Sequence, residues 1–139
     1  MQSLAPDKGL YMPEEFPKLA NSVISGLESL SFQEIAYEVS HAIIGKYIPS
    51  NDLQDMVYKA INFPAPVRVL SETVGALELW HGPSLAFKDF GARFMAALMS
   101  YFIRNEDKKL TILVATSGDT GGAVAAGFYD TPGIEVIIL

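Results

Sequence analysis

Lys88 stands between two phenylalanines in the run "HGPSLAFKDFG", His81 to Gly91. A lysine on a solvated helix face needs no such setting. Held against an apolar wall, its ammonium gives up hydration, its pKa falls, and an amine that is both nucleophile and base becomes available near neutral pH. The competing reading is structural. Lys88 would snorkel to water, while Asp89 favours a helix start and pairs with Arg93 four residues on. A second candidate is "TSGDTGG", Thr116 to Gly122. Placed after a strand and before a helix, its backbone N–H groups around Gly118 to Gly122 can point at one anion, helped by the helix dipole and the Ser117 and Thr120 hydroxyls. Such a loop cradles a carboxylate or a phosphate. No Lys-Ser or Lys-Thr pair follows at P-loop distance, and glycines at 118, 121 and 122 do not fit the dinucleotide frame. Asp119 would put a negative charge inside the cradle, which argues against pyrophosphate. The plain alternative is a tight turn with a side-chain cap. His81 could position a substrate group or could be a hydrogen-bonded turn residue. Ser84 could cap or bind an anion, and His41, on an amphipathic stretch, reads as structural or exposed.

These residues are carried by a chain of 139, half of it hydrophobic, which is enough to bury a core. Sixteen acidic against ten basic side chains give a net charge of -6, and the basic residues are scattered. We expect no nucleic-acid partner. With no cysteine and two histidines, disulfides, thiolate zinc sites and thiol nucleophiles are excluded, and no metal is expected. The opening "MQSLAPDKGLYMPEEFP" has no basic leader before an apolar stretch, and no oily run approaches the ~20 residues that span a bilayer. The expectation is a cytoplasmic protein that does not engage a membrane.

The elements that must position the lysine and the glycine loop follow from periodicity. Residues 1 to 30 are punctuated by prolines and glycines and predict loops, with a short strand or turn around Leu10 to Met12. Ser31 with Glu34 makes a capping-box pattern, and Phe32, Ile35, Ala36, Val39 and Ile43 recur at helical spacing until Gly45. A second helix is predicted from Ser50 or Asn51, with Leu53, Met56, Val57, Ala60 and Ile61 on one side. "NFPAPV" then breaks the chain and sets a boundary: a mainly helical part, 1-66, and an α/β part, 67-139. In the second part "VRVL" and "ALELW" read as strands around "SETVG". "FKDFGARFMAALMSYFIRN" is a helix with Phe90, Phe94, Ala97, Leu98 and Tyr101 inward, and "LTILVA" is a buried strand. The glycine turn, a small-residue helix "AVAAGFY" and the strand "IEVIIL" complete a βαβ unit and so a parallel sheet. Gly127 is expected to let that helix approach the sheet. A chain ending on a bare apolar strand reads as truncated.

"LELWHGPSLAFKDFGARFMA" and "ILVATSGDTGGAVAAGF" together resemble the threonine synthases, pyridoxal phosphate enzymes of the tryptophan-synthase-β-like fold. "DKGLYMP" and "FPAPV" are similar to the same family, so the likeness runs along nearly the whole chain. The resemblance implies the start of a three-layer, parallel-sheet fold type II domain, left incomplete. It implies that Lys88 is the residue that carries pyridoxal phosphate and later shuttles protons. By the same resemblance Ser117, Gly118, Asp119, Thr120 and Gly121 meet the substrate carboxylate, with Asp119 close to the ring hydroxyl side of the cofactor. The implied substrate is O-phosphohomoserine, converted with water to threonine and phosphate. The family's later glycine loop, which holds the cofactor phosphate, lies past the last residue, so this stretch alone is expected to be inactive. Another enzyme of the same fold, such as a dehydratase, and a non-catalytic anion-binding module remain the alternatives.

Overall fold

The computed structural model describes residues 4–107, 109–116 and 118–139. Its first element, α1 (Asn21–Gly26), is followed by a 3-10 turn, Leu27–Ser29. Residues 10–12 form neither the strand nor the turn expected there, and α1 was not foreseen, because "NSVISG" carries no cap and buries nothing. Helix α2 (Phe32–Ile44) begins as its sequence requires. The Ser31 hydroxyl accepts the Glu34 amide at 3.2 Å, and the Glu34 carboxylate accepts the Ser31 amide at 2.7 Å. It ends at Gly45, which keeps right-handed backbone angles. Glycine is needed there for room, since a Cβ would come within 2.6 Å of the His41 ring. Helix α3 (Ser50–Ala60) buries Leu53, Met56, Val57 and Ala60, as the period of its sequence predicts. Leu53 and Val57 are wholly removed from water, each worth roughly 1.5–3 kcal/mol of burial.

Strands β1 (Val67–Ser71) and β2 (Val74–Leu77) form an antiparallel hairpin, Val67 opposite Leu77, with a register shift between Val69 and Ser71. Helix α4 (Lys88–Ile103) then does the central work of the fold. One of its faces, Phe94, Ala97, Leu98 and Tyr101, packs on the cluster of Ile48, Leu53, Met56 and Val57. Its other face, Ala92, Ala96 and Met99, packs on Ala123, Val124 and Phe128. Helix α5 (Asp119–Phe128) supplies these last three, and β3 (Leu110–Val114) and β4 (Ile134–Ile138) lie beneath.

β3 and β4 pair in parallel, Leu110 opposite Ile134 through Val114 opposite Ile138, which is the expected βαβ unit. The expectation that β3 is a buried strand holds on one face only. Ile112 and Val114 meet the helices, while Leu113 is 66% exposed. Gly127 also serves a different neighbour from the one expected. Its open position faces α4, where a Cβ would lie 3.0 Å from the Ala92 carbonyl carbon. The mixed α/β architecture anticipated from the sequence is the one observed.

Candidate active site

The lysine is launched by a turn rather than by a strand. Residues 82–87 fold back on themselves, with the Leu85 amide donating to the Gly82 carbonyl at 3.1 Å and Leu85 itself left-handed at φ 58°. For a leucine this conformation is sterically costly. Lys88 opens α4 directly behind this turn. The two phenylalanines beside it diverge, which corrects the picture of a lysine walled in by both. The Lys88 Nζ sits 4.7 Å from the Phe87 ring, whereas Phe90 turns toward Phe63 at 4.5 Å and Phe32 at 6.0 Å. Lys88 is therefore half-buried. It makes no salt bridge and no hydrogen bond among the described residues. Its side chain shares with Thr120 a cleft of about 310 Å³, whose remaining walls come from Phe87, Gly91, Ala92, Met95, Ala123 and Val124. An apolar hollow with one amine and one hydroxyl has the composition of a small-ligand site.

The glycine loop forms the start of α5. Gly118 is extended at φ 172°, and its carbonyl accepts the Gly121 amide at 2.9 Å and the Gly122 amide at 3.4 Å. The cradle is thus narrower than expected, because two of its five amides are spent on the helix. Those of Gly118, Asp119 and Thr120 have no acceptor among the described residues. Ser117 lies outside the described residues. Asp119 is exposed at the helix start and does not line the cleft. Gly121 is buried for packing: a Cβ there would meet the Thr116 methyl at 2.8 Å and Ile138 at 3.4 Å.

Ser84 approaches the same first turn of α5, where a Cβ on Gly122 would stand 4.0 Å from its own Cβ. His81 does not line the cleft. Its Nε2 lies 2.7 Å from a Glu78 carboxylate oxygen, its ring stacks on Trp80 at 5.8 Å, and Arg68 holds the other Glu78 oxygen at 3.2 Å. The His81 hydrogen bond, above all, holds the Glu78 carboxyl below its ordinary range. His41 is exposed with its ring 5.6 Å from Tyr37. Among the described residues no group of three or more His, Cys, Asp or Glu is placed to hold a metal, and no helix is long and apolar enough to cross a membrane.

A family model described as threonine synthase N terminus matches residues 1–61. Threonine synthases of Escherichia coli strain K12 and Haemophilus influenzae are 45% and 48% identical to the chain over 138 residues, 99% of its length and 32% of theirs. The crystal structure of the Escherichia coli threonine synthase superposes with a TM-score of 0.86 at 44% identity, over 97% of this chain and 31% of that one. This chain is similar to the threonine synthases over nearly all of its own length. A pyridoxal phosphate-bound threonine synthase from Brucella melitensis superposes with a TM-score of 0.90 at 36% identity, over 97% of this chain and 30% of its own. The chain spans about a third of the length of these relatives.

Two residues close to Lys88 in the chain have partners other than those the sequence suggested. Asp89 and Arg93 do not form the expected i to i+4 pair. Arg93 reaches across to α3, donating to the Ala60 carbonyl at 2.9 Å, the Lys59 carbonyl at 2.8 Å and the Asn62 side chain at 3.0 Å. It thereby satisfies carbonyls left open at a helix end, where a cation is favoured. Asp89 is 0% exposed and accepts the Ser84 amide at 2.9 Å. For Asp89 the signal lay in the glycine and serine seven and five residues before it, whereas Arg93's partners lie 31 to 34 residues upstream.

Proposed function

We propose that this chain carries the cofactor-anchoring lysine and the substrate-carboxylate loop of a pyridoxal phosphate-dependent threonine synthase. The overall reaction takes O-phospho-L-homoserine and water to L-threonine and phosphate, a carbon-oxygen lyase reaction of amino-acid biosynthesis in the cytoplasm. The observation that carries this reading is the cleft shared by Lys88 and Thr120, in which the amine has no internal ion partner among the described residues. An amine engaged by a carboxylate would have to break that bond before meeting an aldehyde. Lys88 has no such bond to break. The space, the apolar walls and the unspent amides at the α5 start fit a flat, anionic, aldehyde-bearing group and a small amino-acid substrate.

When bound, pyridoxal phosphate supplies an electron sink for carbanions next to the substrate's amino group. The chain's own residues would do the rest. Lys88 Nζ holds the cofactor at rest and, once released, moves protons on the substrate carbons. The Gly118, Asp119 and Thr120 amides, with the Ser117 and Thr120 hydroxyls, receive the substrate carboxylate. Gly121 keeps the loop against Thr116, and Ser84 and His81 serve as outer substrate contacts from the preceding turn. Asp119, exposed at the start of α5, would meet the cofactor only from the rim of the cleft. The same reading divides the chain into a helical part, 1-66, and the first part of the cofactor domain, 67-139.

The test is product analysis with the full-length gene product and pyridoxal phosphate. Phosphate and threonine should appear in equal amounts from O-phosphohomoserine, and Lys88→Ala should abolish both. Turnover of threonine without turnover of O-phosphohomoserine would assign a dehydratase instead. Anion binding with no turnover of either would assign a binding module.

A further inference from the structure

Asp89 is the only charged side chain among the described residues that is fully buried, and one of its oxygens has no partner. Oδ2 accepts the Ser84 amide at 2.9 Å, while Oδ1 is unpaired, as is the buried Ser84 hydroxyl. The carboxylate is also gripped from the other side. A Cβ on Gly82 would fall 2.8 Å from the Asp89 Cβ and 2.9 Å from its carboxyl carbon. Gly82 and Ser84 thus close around Asp89, and the turn between them holds Leu85 in its left-handed conformation with 75% of that side chain exposed. Two hydrogen bonds brace that turn: the Leu85 amide to the Gly82 carbonyl, and the Ser84 amide to Asp89.

An ionisable group taken out of water with half its acceptors unused is a poor way to stabilise a turn, and such groups collect where geometry matters more than stability. Asp89 follows Lys88 in the chain, and its bonding partner Ser84 abuts the first turn of α5. The carboxylate therefore braces the turn that leads into Lys88, and the serine it holds lies beside the first turn of α5.

We propose that Asp89 is a positioning residue: by fixing the 82–86 turn through the Ser84 amide, it sets the direction in which the Lys88 side chain enters the cleft. The inference rests on the reading of Lys88 as the cofactor lysine. It deepens that reading by naming the group that aims it.

Asp89→Asn keeps the shape and an oxygen that can accept the Ser84 amide, whereas Asp89→Ala removes the acceptor. Both are compared with the unaltered full-length gene product, without cofactor, by hydrogen exchange at the Ser84 amide and by the rate at which acetic anhydride modifies Lys88. Pyridoxal phosphate affinity is then measured by titration. In Asp89→Ala the Ser84 amide should exchange about tenfold faster, Lys88 modification should rise about threefold, and affinity should fall about tenfold, the size expected for losing one charge-assisted hydrogen bond. In Asp89→Asn all three should stay within about twofold, because the acceptor is retained. Amides of α4 beyond Arg93 should keep their protection in both.

Three results would overturn the proposal: equal damage from Asn and Ala, faster Ser84 exchange with unchanged Lys88 reactivity, or loss of protection throughout α4. If exchange and acetylation respond as expected but unaltered Lys88 takes up no pyridoxyl group on borohydride reduction, the positioning role stands and the cofactor reading fails.

Discussion

Two glycines on the lysine helix and its neighbour make opposite predictions for the same substitution. Gly127 of α5 faces α4 so closely that an added Cβ would sit 3.0 Å from the Ala92 carbonyl carbon, 3.1 Å from the Arg93 nitrogen and 3.2 Å from the Ala92 Cβ. Two of those atoms are backbone, so no side-chain rotation relieves the contact, and the helices must move apart by a few tenths of an ångström. Alanine gains about 1 kcal/mol of helix propensity over glycine, but overpacking a tight contact costs about 1–3 kcal/mol. Gly127→Ala should therefore destabilise by about 1 kcal/mol. Gly91 of α4 has nothing within 4 Å of the same added atom. Gly91→Ala should stabilise by about 0.5–1 kcal/mol, because only the propensity gain operates. The added methyl enters the cleft beside Lys88, however, so pyridoxal phosphate should bind more weakly even as the fold becomes firmer. Urea unfolding followed by Trp80 fluorescence, with a cofactor titration on each variant, reads both effects. Equal stabilisation by the two substitutions would refute the close approach of α4 and α5. Unchanged cofactor affinity in Gly91→Ala would place the ligand elsewhere.

Arg93→Ala removes three hydrogen bonds to the end of α3 and its surroundings. A loss of about 2 kcal/mol is expected, reduced from the sum of the bonds because the arginine is half-exposed, and Arg93→Lys should recover only part of it in the same urea assay. Glu34 is held below its ordinary range first by its bond to the Ser31 backbone and next by the Ser31 side chain. A depressed carboxyl stabilises the helix start fully above its unfolded value and loses that contribution as the pH falls through its folded value. The Ser31 amide signal in an NMR titration should therefore move with Glu34 protonation on the acid side of the usual carboxylate range. Glu34→Gln should leave it flat.

How much of this could be read from the chain varies with the range of the interaction. The capping box at Ser31 and Glu34, the buried stripe of α3 and the βαβ order are local, and each was legible from spacing. Both candidate motifs were legible too, and Lys88 and Thr120 do face one cleft. What the sequence hid was direction. Nothing in "FKDF" says that Phe87 stays by the lysine while Phe90 turns to Phe32 and Phe63, because that choice is made by α2 and the segment after α3. The pairing of Asp89 with Arg93 was favoured by helical spacing and lost to two longer-range partners, the Ser84 amide and the carbonyls of α3. The cradle of five amides was overcounted because a helix spends its own third and fourth amides on the cap carbonyl.

The most direct test is to reduce the full-length gene product with borohydride in the presence of pyridoxal phosphate and map the modified peptide by mass spectrometry. A single pyridoxyl group on Lys88, absent from Lys88→Ala, is the expected result. Labelling of a different lysine, or of none, would contradict the assignment of this cleft as the cofactor site.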